Sequence, residues 1–237
     1  MPDKPIVIFG TNTLSANALA FYRSEGLGEV AAFTVDRARM DADTFYGLPV
    51  VAYEDLSEKH PPDGFEIFVT VGYSDLNRHR ERIMDRVRGD GYALASCISR
   101  RTNILAEAIG ENAFIFPGCT IDPYVTVGRG VLISSNAYIA HYCSIGDYCF
   151  IAGGATIGGT TSIGHHSIVG CNATVGPNVD LGAYNFLGDG VLVRQSSQEG
   201  SVFIPEQTPK GPMSAERVKV MLLRPLSERA SGRKDEA

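Results

Sequence analysis

The chain has 237 residues, 44% of them hydrophobic, and a formal net charge of −6. That length accommodates two modest domains, and the acidic balance argues against nucleic acid, whose partners carry a basic footprint. No stretch approaches the roughly eighteen apolar residues of a membrane span, the start MPDKPIVIFG lacks a signal-peptide layout, and five cysteines without CxxC spacing suit a reducing cytoplasm.

Pro5–Gly10 is a short apolar run ending in glycine, the usual shape of a buried parallel strand. Leu14, Ala18, Phe21 and Tyr22 follow at helical spacing, closed by Gly26 and Gly28. A second strand is predicted over Val30–Val35, ending at Asp36, and then an irregular stretch around Met40–Leu56. A third strand, Ile67–Val71, ends at Gly72. A charged helix follows from about Asp75 to Arg88, and a last strand from Tyr92 to Ile98. This alternation predicts a small parallel α/β domain over residues 1–100, with its ligand edge at the strand C-termini marked by Gly10, Asp36 and Gly72.

The first strand–turn–helix is placed for an anion, because helix N-termini attract phosphate. Its loop keeps Gly10 but has Asn12 and Ser15 where a dinucleotide loop would carry glycines, which argues against a dinucleotide cofactor. Asn12 is able to adopt a left-handed turn. Asp36 stands where a carboxylate accepts hydrogen bonds from a ribose or a base. A docking domain without a ligand is the plainer alternative.

From Ile109 to Val193 every sixth residue is a branched aliphatic, fifteen in succession. The next residue is usually small, as at Gly110, Gly128, Gly146, Gly158 and Gly164, and Cys119, Cys143 and Cys149 fall at another small, inward position. A period of six fits neither an amphipathic helix nor a hairpin meander. It fits a hexapeptide solenoid, in which each aliphatic stacks on its counterpart one coil away and three hexads close a triangular coil.

The pattern resembles the left-handed parallel β-helix of hexapeptide-repeat acyltransferases over roughly Ala106–Phe203; the handedness comes from this resemblance and not from the period. A Rossmann-like domain followed by such a β-helix, here residues 101–204, resembles the sugar acyltransferases of bacterial glycan pathways. These include the nucleotide-linked 4-amino-sugar N-acetyltransferases and the NeuD-type sialic acid O-acetyltransferases. The stretch FVTVGYSDLNRHRERI matches their strand–Gly–polar–helix segment. The resemblance implies a nucleotide sugar held by Gly10, Thr11, Asn12, Thr13, Asp36 and Gly72.

Of the five histidines, His60 and His79 read as solvent-facing. His141 falls two residues past the inward Ile139, so its side chain points out from a corner where no core role explains it. The segment His141-Tyr142-Cys143-Ser144-Ile145-Gly146 resembles the family motif His-x-Cys-x-Ile-Gly, whose histidine is the general base. An imidazole suits the deprotonation of an amine or hydroxyl that attacks a thioester, and solenoid turns expose N–H groups for the oxyanion. Neither a metal nor a covalent intermediate is needed. Relatives often carry an acid beside the base, whereas here the neighbours are Ala140 and Tyr142. Tyr142 is expected to orient the ring or touch substrate, and Asn136 to hydrogen-bond the imidazole from a neighbouring turn or subunit. His165 and His166 lack the His…His-x4-His spacing of hexapeptide carbonic anhydrases and read as surface-turn histidines, so no metal is expected.

The resemblance further implies acetyl-CoA lying in a groove between two β-helices of a homotrimer, against Phe150, Gly170, Cys171, Asn172, Gly188, Asp189 and Gly190. VGCNATVGPNV resembles the family's Gly-x-Asn-x-x-Val turn. Phe150 stands where relatives often have histidine, which substitutes apolar packing for a hydrogen bond. Gly200–Phe203 resembles the closing strand. Residues 205–237 are expected to form a proline-rich loop, a short capping helix Ala215–Leu223 started by Ser214, and a disordered tail. The first reading is an acetyl-CoA-dependent N-acetyltransferase acting on a nucleotide-linked amino sugar in bacterial surface-glycan synthesis. O-acetylation of a sugar hydroxyl would use the same base and donor. A non-catalytic trimeric nucleotide-binding scaffold is the alternative from another class.

Overall fold

In the computed structural model, which describes residues 4–210, 212–215 and 217, the chain opens with a six-stranded sheet in the order β3-β4-β2-β1-β5-β6. The strands are β1 (Ile6–Phe9), β2 (Val30–Val35), β3 (Thr44–Phe45), β4 (Leu48–Ala52), β5 (Glu66–Val69) and β6 (Ala93–Leu94). All pairings are parallel except β3 with β4. Central β1 reads Ile-Val-Ile-Phe because both its faces are covered. Ile6 and Ile8 pack with Ala18, Leu19 and Tyr22 of α1 (Thr13–Glu25), while Val7 and Phe9 pack with Ile83, Met84 and Val87 of the later helix Arg78–Gly89. That later helix is α3; a single turn, α2 (Leu56–Lys59), lies between.

Two expectations need correction. The stretch after Met40 is not irregular: β3 and β4 form a hairpin around Tyr46 and Gly47, both with positive φ (48° and 80°). Such a turn is normally announced by Asn-Gly or Asp-Gly, and Tyr-Gly hid it. The expected strand Tyr92–Ile98 is two pieces, since β6 stays in the α/β sheet while Cys97–Ile98 pairs with Phe114–Ile115 as the first rung of the solenoid.

The solenoid is a three-faced parallel β-helix with seven, six and five strands on its first, second and third faces. Each rung is two residues, an outward one followed by the inward aliphatic, and inward Ile115, Ile133, Ile151, Val169 and Leu187 are all fully buried. Two-residue rungs pair weakly. The continuous aliphatic column, at roughly 1.5–3 kcal/mol per buried side chain, holds the stack. Cys119, Cys143 and Cys149 are buried in that core, as expected. The stack closes with Val202–Phe203.

Most turns put one residue in the left-handed region, which explains an alternation along the corner between the first and second faces. Gly118, Asn136, Gly154, Asn172 and Gly190 all have positive φ. Asn136 Oδ1 would lie 2.3 Å from a Cβ on Gly118, and Asn172 Oδ1 would lie 2.2 Å from one on Gly154. Glycine below makes room for the asparagine above.

The α/β sheet and the solenoid share a core within one unit extending to Pro205. Outward Phe114 and Leu132 of the first face are buried, and Phe21 of α1 meets Phe116 edge-on at 5.2 Å. At the corner between the third and first faces, Asn112 takes the place of a strand neighbour: its Oδ1 accepts from Val69 N at 2.7 Å and its Nδ2 donates to Val69 O at 3.0 Å. His166, expected at the surface, is buried at this joint. Tyr148 and Tyr184 flank it, each with ring centroids 4.9 Å away, and its Nε2 lies 3.2 Å from Glu81 Oε2. Burial pushes its pKa below the ordinary histidine value, with Glu81 opposing and His165 and Arg80 adding to the fall. His60, also expected in solvent, is half-buried edge-on against Phe65.

Glu25 at the end of α1 ties the first solenoid coil. Its carboxylate accepts from Ser99 Oγ, Arg100 N and the Arg101 guanidinium at 2.6–3.0 Å. Burial alone would raise its pKa, but the Arg100 N–H, Ser99 and Arg101 together hold it below the ordinary value of 4.5. A depressed carboxylate stabilises the fold above the unfolded-state pKa, and this contribution disappears as pH falls through the folded one. Glu25→Gln is therefore expected to cost about 2 kcal/mol at pH 7, with the gap to wild type shrinking once pH drops below about 4.5. Urea unfolding at pH 7 and at acid pH measures it; an equal gap at both would refute the ionic role.

Among the described residues no helix is long and apolar enough to cross a membrane. Ser214 Oγ accepts from Arg217 N at 3.4 Å, in keeping with a cap; most of the expected helix Ala215–Leu223, and the tail after it, lie outside the described residues.

Candidate functional site

A cleft of about 580 Å³ opens at the C-terminal edge of the α/β sheet, lined by Gly10, Thr11, Asn12, Asp36, Arg39 and Gly72 among others. Five of the six residues expected to hold a nucleotide sugar thus meet there, and Thr13 follows directly as the first residue of α1. Gly10 has φ +131°, and a Cβ on it would lie 2.7 Å from Thr70 Oγ1 and 2.8 Å from Ser15 Oγ. Only glycine fits that turn.

Asn12 is not left-handed. It is extended (φ −123°) and caps α1, its Oδ1 accepting from Leu14 N and Ser15 N while Ser15 Oγ accepts from Asn12 N. Ser15 therefore stands where a dinucleotide loop has glycine because it completes a capping box. Among the described residues the Thr11 and Thr13 N–H groups have no acceptor, so the helix start retains donors for an anion.

Asp36 is not free in the cleft. Its Oδ1 accepts from Arg86 Nη2 at 2.6 Å, and that guanidinium lies 4.1 Å over the Tyr53 ring. Arg39 adds positive potential beside the helix start. His79 was expected in solvent but lines the cleft; burial first, then Arg39 and Arg82, lowers its pKa. The sequence offered no signal for Arg39, His79 and Arg86, because separate strand ends and one face of α3 bring them together.

His141 stands at the corner between the second and third faces, exposed, just past the rung Tyr138–Ile139. Gly159, one coil on, forms its seat: a Cβ there would lie 2.8 Å from His141 Cε1 and 3.1 Å from Nε2. A signal existed, since Gly159 follows His141 by one 18-residue coil. Tyr142 stands edge-on to the imidazole at 5.7 Å and stacks on Tyr124 of the coil below at 4.7 Å. Both tyrosines are left-handed (φ 57° and 64°), an uncommon conformation for bulky side chains. Asn136 does not reach the imidazole within one chain, because it occupies the corner between the first and second faces.

Gly170, Cys171, Asn172, Gly188, Asp189 and Gly190 fall together on that first–second corner, in two successive coils. Asp189 Oδ1 accepts from Cys171 N at 2.7 Å, and Asn172 and Gly190 are the left-handed residues of their turns. Phe150 lies on the adjoining first face, with the Tyr73 ring parallel to it at 5.4 Å. The adjacent His165 and His166 are joined Nδ1 to Nδ1 at 2.9 Å.

The α/β sheet covers the first coils of the first face, at Phe114 and Leu132, and the third–first corner, and His141 occupies the corner opposite that first face. One chain therefore separates its cleft from its own imidazole by the thickness of the prism.

The family model for bacterial transferase hexapeptide (six repeats) matches residues 108–141 and 124–159. No curated protein matches the chain. Among solved structures, the acetyltransferase domain of PglB from Neisseria gonorrhoeae FA1090 is 21% identical with a TM-score of 0.74, over 84% of this chain and 96% of that one. PerB from Caulobacter crescentus, in complex with CoA and GDP-perosamine, is 23% identical with a TM-score of 0.74, over 84% and 93%. WeeI from Acinetobacter baumannii AYE is 19% identical with a TM-score of 0.65, over 84% and 95%. Identities this low establish the fold. By fold, the chain is a left-handed β-helix, matching the bacterial transferase hexapeptide repeat over residues 108–159, joined to a Rossmann-like α/β sheet.

Proposed function

We propose that the chain is an acetyl-CoA-dependent N-acetyltransferase acting on a nucleotide-linked amino sugar in bacterial surface-glycan synthesis, as a homotrimer with its sites between subunits. The observation that carries this reading is the exposed His141 imidazole seated on Gly159, outside any core, on a fold that also holds an anion-ready cleft. Two structures that share the fold support the substrates: PerB is in complex with CoA and GDP-perosamine, and the PglB acetyltransferase domain is in complex with acetyl coenzyme A.

The nucleoside is held at Asp36, which the Arg86 guanidinium orients. The diphosphate meets the Thr11 and Thr13 N–H groups and the start of α1. Acetyl-CoA runs along the first–second corner past Gly170–Asn172 and Gly188–Gly190. His141 removes a proton from the sugar amine as its nitrogen attacks the thioester carbon. A C–N bond forms, the carbonyl oxygen takes the negative charge, and collapse breaks the C–S bond. The leaving CoA thiolate then receives the proton from the imidazolium.

Because cleft and imidazole lie on opposite sides of one chain, each site takes the cleft of one subunit and His141 of another. Coexpressed Asp36→Ala and His141→Ala chains, each inactive alone, are therefore expected to recover about a quarter of wild-type turnover, the random-assortment fraction for sites shared between subunits. Free-thiol release with acetyl-CoA measures it, against UDP-, dTDP- and GDP-linked 4-amino sugars and their 4-hydroxy counterparts. No recovery would place both halves of the site in one chain. Turnover only on hydroxyl sugars would make the enzyme an O-acetyltransferase, and no thiol release from any acceptor would leave a scaffold.

A further inference from the structure

The loop between β5 and α3 is anchored at both ends. Arg80 Nη1 grips its start, donating to the carbonyls of Val71 and Gly72 at 3.1 Å each. Buried Asn77 fixes its end on the solenoid, donating from Nδ2 to the His166 carbonyl at 3.4 Å. Between these points Asp75, Leu76 and Asn77 are left-handed in succession (φ 55°, 46° and 66°). Such a run is sterically disfavoured and persists only where its surroundings over-determine it. What the anchored loop presents is Tyr73. The residue is 62% exposed, and its ring lies within 5° of parallel to Phe150 at 5.4 Å between centroids. One face is backed and the other is open.

The strand order says what would reach that open face. In β2-β1-β5, Asp36 ends β2, Gly10–Thr13 follow β1, and Val71–Ser74 follow β5. A nucleoside at Asp36 puts its diphosphate over the N–H groups at the end of β1. The group carried on the second phosphate then falls one strand further on, at β5, where Gly72 and Ser74 line the cleft; Tyr73, between them in the chain, lies outside that lining with its ring on Phe150. Neighbouring strands are roughly 4.8 Å apart, comparable to the span of a diphosphate from its nucleoside oxygen to its sugar oxygen.

We propose that Tyr73 is a specificity residue for the acceptor: its ring, backed by Phe150, packs against the apolar C–H face of the hexose carried by the nucleoside diphosphate. Aromatic rings favour such faces because the burial is apolar and the ring is already ordered. The assignment rests on the cleft being the nucleotide-sugar site, so its test separates the nucleotide from the sugar.

Calorimetry with UDP, dTDP and GDP, and steady-state kinetics with the corresponding 4-amino-hexose conjugates, are compared for wild type, Tyr73→Ala and Tyr73→Phe. Tyr73→Ala is expected to leave the Kd of the bare nucleoside diphosphate unchanged while raising KM for the sugar conjugate roughly three- to tenfold. Tyr73→Phe is expected to restore KM, because the ring face and not the hydroxyl makes the contact. Equal weakening of nucleotide and conjugate, or an unchanged KM in Tyr73→Ala, would overturn the proposal. A wild-type protein that binds none of the three nucleotides would overturn the cleft assignment itself, and this role with it. Far-ultraviolet circular dichroism and Tm control for folding, which an exposed side chain should not disturb.

Discussion

His141→Ala is expected to lower kcat for acetyl transfer by about 10²- to 10⁴-fold, the usual contribution of a positioned general base, and to leave Tm within a degree or two. The two halves of that expectation have separate causes. The imidazole is exposed and packs over Gly159 and beside Tyr142, so its removal opens no cavity in the aliphatic column. The loss of rate follows because Tyr142, the nearest aromatic, carries a phenol and has no basic nitrogen to offer. His141→Asn keeps a polar group of similar reach without a proton acceptor of comparable basicity, and is expected to fall as far as alanine. Kd for CoA, measured by calorimetry, should stay within a few-fold in both variants, since the corner proposed for the donor is a different one. A His141→Ala enzyme that retains a tenth or more of its turnover would remove the base from the mechanism; one that loses Tm in step with activity would make the residue structural.

How much of this was legible in the sequence follows from what each feature depends on. The solenoid was legible because every rung from Ile109 to Val193 repeats one local rule, an inward aliphatic usually followed by a small residue; the Gly118–Asn136–Gly154–Asn172–Gly190 alternation is a second rule that only the backbone conformation explains. His141 was legible for the same reason: the six-residue register fixes which way it points. The strand ends Gly10, Asp36 and Gly72 were legible through the alternation of strands and helices. What stayed hidden depends on tertiary packing. The Tyr46–Gly47 hairpin carries no standard turn pair, and Cys97–Ile98 changes sheets without a change in composition. His166 reads as a turn residue like His141, and only the arrival of α3 at its corner buries it. Arg39 reaches the cleft from the end of β2, while His79 and Arg86, two turns apart on α3, reach the cleft and Asp36 only because that helix packs there, so no pattern along the chain could have grouped all three.

Arg80→Met is expected to destabilise the protein by roughly 3–5 kcal/mol, a fall in Tm of roughly 6–20 °C for a chain of this size. Arg80 is almost wholly buried, and its guanidinium donates to Gly130 O and Tyr148 O at 2.8 Å, to Val71 O and Gly72 O at 3.1 Å and to Cys149 O at 3.5 Å. Burial pulls its pKa down to about 10, still well above neutral pH, so the group remains a cation solvated by carbonyl dipoles. Methionine fills the volume but leaves the Gly130 and Tyr148 carbonyls buried without this donor, and an unsatisfied buried acceptor costs more than a simple lost bond. Arg80→Lys separates charge from geometry. An ammonium keeps the cation, but its donors radiate from one point, so it cannot serve the solenoid carbonyls and those of Val71 and Gly72 together. It is expected to recover part of the stability yet still weaken nucleoside diphosphate binding, because Gly72 loses the grip that places it at the cleft. Chemical unfolding and calorimetry on the same samples read both effects. Stability within 1 kcal/mol of wild type in Arg80→Met would mean that the apolar contacts of Phe21, Phe114 and Leu132 join the two halves without the buried cation.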